Sequence, residues 1–205
     1  MKNLDIYCVT DKKLDFLEKT NLKLAGVGKE KFSEKYLKCD TKKNINYKEK
    51  YYSELAFHYW YWQNILPNEK QDWIGFCQKR RFWINPEKDQ NLITSENLNE
   101  FLLSEIDDKL SKSESFICSP INLTGVKKMK MIKRGWKNLI KDPNIFFNNQ
   151  KHTVALHFDM HHGYNNLNKA INLLDSENKR DFFDFVNNKT YFNPHIMYIS
   201  RPDIL

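Results

Sequence analysis

A chain of 205 residues with 40% hydrophobic, 14% aromatic and 29% charged residues has the composition of one globular domain, or one domain with a small appendage, and excludes a disordered protein. The formal net charge of +7 suits phosphate-bearing partners (nucleotide sugar, nucleic acid or anionic lipid surface) without choosing among them, and scattered lysines fit a bias of composition equally well. No apolar stretch is long enough for a signal peptide or a membrane span. The four cysteines, Cys8, Cys39, Cys77 and Cys118, include no C-x-x-C pair; Cys8 and Cys77, inside apolar runs, read as small buried hydrophobes in a reducing compartment.

Residues 4–9 form an apolar run with Ile6, Tyr7 and Val9, which predicts a first, central strand. A polar loop follows at 10–13, then a short helical turn within 14–20. Residues 22–27 predict a second strand, closed by Gly26 and Gly28. The charged stretch 29–50 reads as a surface loop. Residues 53–64 (SELAFHYWYWQN) predict the clearest helix, with Ser53 as N-cap and Glu54 in the first turn. That helix is apolar over most of its surface, so it is expected to be largely buried, and Pro67 ends it.

Residues 72–77 (DWIGFC) predict another strand, where Gly75 allows close approach of backbone or ligand. A basic cluster, Gln78-Lys79-Arg80-Arg81, follows directly. Residues 95–110 read as a charged surface helix carrying Leu98, Leu102, Ile106 and Leu110, and 116–118 as a short strand. Residues 121–150 are set apart as an insertion or lid, with Met129, Met131, Ile132 and Trp136 among many lysines. Residues 157–161 read either as a strand or as a polar loop beside one, 167–174 and 181–186 as helices, and 196–199 as a last strand. The order predicts an α/β sandwich with a mostly parallel sheet, in a single domain over 1–205. Residues 201–205 follow the last strand with no closing helix, and the expectation is a C-terminally truncated chain.

The Arg80-Arg81 pair carries the clearest chemical content. Guanidinium donors match phosphate oxygens, and the pair follows a strand, where α/β folds gather ligands. His157, Asp159 and His161 would share one face of a strand. Those groups suit either a divalent cation or a base that deprotonates a hydroxyl. Tyr7, Thr10, Asp11 and Lys12, at the end of the first strand, are placed to recognise a base and ribose. No G-x-G-x-x-G, P-loop or G-x-S-x-G motif occurs, so dinucleotide binding, NTP hydrolysis of that kind and a standard α/β-hydrolase are unsupported.

Four stretches carry a family likeness. They are Ile6-Tyr7-Cys8-Val9-Thr10 with Lys12-Lys13 and Gly26-Val27-Gly28; Ser53-Glu54-Leu55-Ala56 running into Tyr59-Trp60; Ile74-Gly75-Phe76-Cys77-Gln78 with Arg80-Arg81-Phe82; and His157-Phe158-Asp159-Met160 with Gly163-Tyr164, then Phe192-Asn193-Pro194-His195. In these the chain resembles the domain-of-unknown-function family 4422, associated with glycosyltransferases of capsular and exopolysaccharide biosynthesis. The resemblance implies a GT-A-like nucleotide-sugar-binding fold and a hexosyltransferase-like activity. It also implies a nucleotide-sugar donor and a glycan or lipid-linked acceptor, with a cytoplasmic location at the inner face of the membrane and peripheral membrane contact.

Carried over residue by residue, Tyr7, Val9, Thr10 and Lys12 would frame the nucleotide, Glu54 would support the pocket, and Arg80 and Arg81 would meet the diphosphate. Asp159 would be the base, assisted by His157 or His161. Asn193 and His195 would line the acceptor side, with 121–150 an acceptor-side insertion. No D-x-D motif stands at 77–81. Either arginines neutralise the diphosphate without metal, or Mn²⁺ or Mg²⁺ comes from the Asp159 region. Lys79 replaces the tyrosine of the family pattern. Two rival readings are a basic nucleic-acid-binding module and a non-catalytic domain derived from a transferase fold. Aromatics gathered in the buried helix argue against the first, so no nucleic acid is expected.

Overall fold

The computed structural model describes residues 2–107 and 110–205. The part of the expected 95–110 helix that falls on Asp108, Lys109 and the Leu110 side chain lies outside the described residues. The chain divides into two compact units, Met1–Cys118 with His195–Leu205, and Ser119–Pro194. The inserted unit is thus longer than the 121–150 segment that the sequence set apart.

In chain order the first unit carries β1 (Lys2–Thr10), β2 (Lys23–Gly26), β3 (Tyr36–Lys38), α1 (Glu49–Tyr52), α2 (Leu55–Asn64), β4 (Trp73–Gln78), α3 (Leu98–Phe101), β5 (Glu105–Ile106) and β6 (Ser115–Ile117). The second carries β7 (Ile121–Asn122), α4 (Lys128–Lys141), α5 (Val154–His162), α6 (Asn166–Ile171), α7 (Ser176–Asn188) and β8 (Tyr191–Phe192). The chain then returns to the first unit as β9 (Tyr198–Ser200).

The central sheet has the order β3-β2-β1-β4-β9-β6, with β5 paired to the start of β1. β3, β2, β1 and β4 are parallel, and β9 runs antiparallel to both β4 and β6. The protein is therefore α/β with a mostly parallel central sheet. Among the described residues no helix is long and apolar enough to cross a membrane.

Strand alternation sorts the core into two faces. Tyr7, Val9, Ile74 and Phe76 meet Phe57, Trp60 and Tyr61 of α2 on one face. Ile6, Cys8 and Cys77 meet Leu17, Leu24, Tyr36 and Met197 on the other. Cys8 and Cys77 are register partners, and a hydrogen bond to Cys8, with burial, holds the Cys77 thiol well above its ordinary pKa. Among the described residues no disulfide forms, and Cys8 and Cys77 pack as small apolar groups.

Several expectations change. β3 lies inside the stretch read as loop, because only Tyr36 of its three residues is buried. The 95–110 helix shrinks to the single turn of α3, and Glu105–Ile106 is extended against β1. Gly75 makes room for core side chains and not for a ligand: a Cβ there would meet Ile199 Cγ1 at 3.0 Å and Ile6 Cγ1 at 3.2 Å. α2 buries Ala56, Phe57, Trp60 and Tyr61 but leaves Leu55 and Trp62 exposed.

On α2, His58 lies against Phe76 at 4.5 Å between ring centroids, and its Nδ1 shares a 3.2 Å hydrogen bond with the Tyr198 hydroxyl. Burial pushes its pKa from 6.5 down to about 4. Between those values the unfolded chain binds a proton that the folded chain refuses, so stability is lost as the pH falls through that window. The difference corresponds to roughly 3 kcal/mol. Urea titrations of the wild type and His58→Phe at neutral pH and near the lower value should show a much shallower acid loss in the variant. Equal losses in both proteins would rule His58 out as the cause.

Candidate functional site

From β1 the chain proceeds to β2 and β3 on one side, then returns as β4 on the other. Open α/β sheets bind ligands beyond the carboxyl ends of the strands at such a reversal, which here falls between β1 and β4. At the tip of β1 the Thr10 hydroxyl accepts from the Lys12 N–H at 3.0 Å and donates to the Lys12 carbonyl at 2.7 Å. The turn leaves Asp11 and Lys12 exposed. At the tip of β4, Gln78 and Arg81 exchange backbone hydrogen bonds of 3.2 and 3.0 Å, which puts Lys79 and Arg80 at the corner of a tight turn.

Side chains tie the two tips together. Lys79 forms an ion pair with Asp11. The Gln78 amide donates to Glu54, and its oxygen accepts from Arg81 Nη1 at 3.4 Å. Burial pushes the Asp11 carboxyl up, but the hydrogen bond and charge of Lys79 outweigh it and hold the group below its ordinary value. For Glu54 the balance is reversed. Burial outweighs the Gln78 hydrogen bond and the charge of Lys79, so its carboxyl stays above the usual range.

Backbone strain sits beside Glu54. Ser53 has φ 48° and ψ −126°, a region that costs a non-glycine residue about 1–3 kcal/mol. The sequence made Ser53 the N-cap; instead Glu54 takes that position and Ser53 forms the bend between α1 and α2. The bend is held by Ser53 N–H donating to the Glu49 carbonyl at 2.6 Å.

Four cations, Lys12, Lys79, Arg80 and Arg81, thus gather with two carboxylates, Asp11 and Glu54. This balance favours an anion carrying more than one charge, and the guanidinium forks suit phosphate oxygens. A divalent cation fits it poorly, since Asp11 is already neutralised by Lys79 and the remaining charge is mostly positive. Among the described residues no three His, Cys, Asp or Glu side chains converge to hold a metal ion.

Of the residues expected at the nucleotide, Lys12, Glu54, Arg80 and Arg81 lie at this pole. Thr10 is buried and its hydroxyl shapes the turn. Tyr7 and Val9 are core residues; burial, with the charges of Glu69 and Asp5, pushes the Tyr7 hydroxyl up to about 12. Gln78 and Lys79 were not singled out as binding residues, although both stand inside the basic run that drew attention to Arg80.

In the second unit residues 157–161, read as strand or polar loop, lie instead within helix α5. Thr153 caps it by accepting from Leu156 N–H at 3.4 Å, and Gly163 ends it with φ 95°. Val154, Ala155, Leu156 and Met160 form its buried side. Helical spacing brings His157 and His161 together, ring centroids 4.3 Å apart, and turns Asp159 away from them. His161 Nδ1 is hydrogen-bonded to the His157 carbonyl at 2.8 Å. Burial, then the charges of His161 and Lys130, pushes His157 down to about 4. Asp159 accepts from Asn165 N–H at 2.7 Å and so fixes the left-handed Asn165, φ 62°, that starts α6. Asn193 stands near the end of this unit, and His195 opens the segment that returns to the first.

Among curated proteins none matches this chain. Among solved structures, the apo structure of the bifunctional glycosyltransferase WbbM is similar, with 18% identity and a TM-score of 0.47. The alignment covers 98% of this chain and 34% of that one, so the chain spans about a third of that structure's length. The family model described as "Domain of unknown function (DUF4422)" matches residues 5–204. With nearly every residue inside that match, the chain belongs to the DUF4422 family.

Proposed function

We propose that this protein is a GT-A-like glycosyltransferase whose first unit binds a nucleoside-diphosphate-sugar donor beyond β1 and β4. One observation carries the reading: the cluster of Lys12, Lys79, Arg80 and Arg81 stands where the strand order reverses, and a diphosphate is the ligand whose charge and oxygen geometry match it. In this reading Arg80 and Arg81 bind phosphate oxygens and stabilise the charge that grows on the leaving nucleoside diphosphate. Glu54, aligned by Gln78, accepts from a donor hydroxyl. The Asp11–Lys79 pair holds the two strand tips in register. No step is assigned to a metal ion.

The acceptor is a glycan or a lipid-linked saccharide. Its hydroxyl has to lose a proton, and α5 carries two candidate acceptors of that proton: Asp159, and His157 in its neutral form. Asp159→Asn separates catalysis from structure, because the amide oxygen still accepts from Asn165 N–H. Loss of about a hundredfold in turnover with an unchanged melting temperature is expected if Asp159 is the base. Turnover equal to wild type would restrict Asp159 to its capping role and leave His157.

The reading as a whole is tested by offering a panel of nucleoside-diphosphate sugars and measuring nucleoside diphosphate released, with and without a saccharide acceptor. Release that needs Arg80 and Arg81 is the expected result. A protein that neither binds nor turns over any member of the panel would contradict the proposal.

A further inference from the structure

Helix α4, KMKMIKRGWKNLIK, presents three kinds of surface. Met131 and Gly135 are buried, and Leu139 packs with them onto Leu156 and Met160. A Cβ at Gly135 would stand 3.3 Å from Met160 Cγ, so α4 lies close on α5 and its rotation is fixed. A second stripe, spaced three and four residues apart, consists of Met129, Ile132, Trp136 and Ile140. These four are 63%, 44%, 51% and 73% exposed. Beside it run Lys130, Lys133, Arg134, Lys137 and Lys141, and α4 contains no acidic residue.

Neither feature helps the helix on its own. Four large apolar side chains in one exposed row lose the stabilisation that burial would give. Lysines at 127, 128 and 130 crowd the positive end of the helix dipole. Both costs are offset if a surface that is apolar at depth and anionic at its rim covers the stripe.

We propose that α4 is the element through which this protein lies on an anionic lipid bilayer. Met129, Ile132, Trp136 and Ile140 enter the boundary between headgroups and acyl chains, and the flanking cations extend their stems to lipid phosphates. Lys137 Nζ, 5.6 Å from the ring centroids of both Trp136 and Tyr164, brings a charge and two interfacial aromatics to one place. A nucleic acid fits less well, since Met129, Ile132 and Ile140 have no stacking face for a base. A second copy of the helix fits less well too, because its cations would meet their like. The inference stands on α4 alone and does not need the donor site.

Flotation of the intact protein with vesicles tests it. Binding is expected to phosphatidylcholine vesicles containing about a third phosphatidylglycerol, and not to phosphatidylcholine alone, with loss at raised salt. Trp136→Ser with Ile140→Ser should lower the partition coefficient by at least about tenfold. Lys133→Gln with Lys137→Gln should lower it comparably at low salt; circular dichroism checks that both variants keep their helix. The proposal is overturned by failure to bind the anionic vesicles or by equal binding to neutral ones. Wild-type binding in both double variants, or an oligonucleotide that displaces the protein from the vesicles, would also overturn it.

Discussion

Alanine at both Arg80 and Arg81 is expected to weaken binding of a nucleoside-diphosphate sugar by about a hundredfold or more, with little change in melting temperature. Each charge-assisted hydrogen bond to phosphate contributes roughly 1.5–3 kcal/mol, and exposure to solvent places these two at the low end. Both side chains are exposed, Arg80 at the corner of the turn and Arg81 closing it through backbone bonds with Gln78 that need no side chain, so truncation leaves the fold in place. The arginines are not equivalent. Arg81 also donates to Gln78, which in turn holds Glu54, so Arg81→Ala should disturb the carboxylate as well as the phosphate. Lysine at either position keeps the charge but loses the fork, and should recover only part of the affinity. Calorimetric titration with a donor nucleotide measures all four variants. A dissociation constant for the double alanine variant within about threefold of wild type would remove the arginines from the site.

Phe57→Ala is expected to cost about 3–5 kcal/mol, enough to unfold a domain of ordinary stability at moderate temperature. Phe57 is fully buried in the layer between α2 and the sheet. Its ring lies 5.9 Å from Tyr7, 5.7 Å from Trp60 and 6.5 Å from Phe76. These rings span α2, β1 and β4, so the cavity would open beneath the elements that carry the candidate site. Urea denaturation followed by tryptophan fluorescence gives the value. A loss below about 1 kcal/mol would mean that the surrounding rings collapse into the space, and that the layer is less tightly packed than these distances describe.

How much of this could be read in advance depends on whether the information is local. β1 from Ile6 to Val9 and β4 from Trp73 to Cys77 are short runs without a charged residue, buried on both faces, which is how a central parallel strand reads in sequence. α2 was legible from its spacing, but its exposed Leu55 and Trp62 were not, because hydrophobic character does not reveal which apolar face meets the core. β3 was hidden by its charged surroundings. In α5, His157, Asp159 and His161 fit a period of two as well as any helical pattern, and a short segment rich in apolar residues leaves the two periods hard to separate. Thr153 and Gly163, a cap at each end, were the signals that decide for helix.

α4 was lost among its lysines, although Met131, Gly135 and Leu139 repeat at four. At the site, Arg80 and Arg81 were visible as adjacent charges. The Asp11–Lys79 pair joins residues 68 apart in sequence, and no local pattern announces it. The donor role given to Tyr7 and Val9 was carried over from the family resemblance with the rest of 7–12, whereas alternation along β1 turns both toward α2.

The most direct test of the donor-site account is a heteronuclear NMR titration with a nucleoside diphosphate, which reports every backbone amide at once. Chemical-shift changes concentrated at residues 10–13, 53–54 and 78–81, and lost in the double arginine variant, are the predicted result. A saturating ligand whose changes lie elsewhere, with those three segments unmoved, would contradict it.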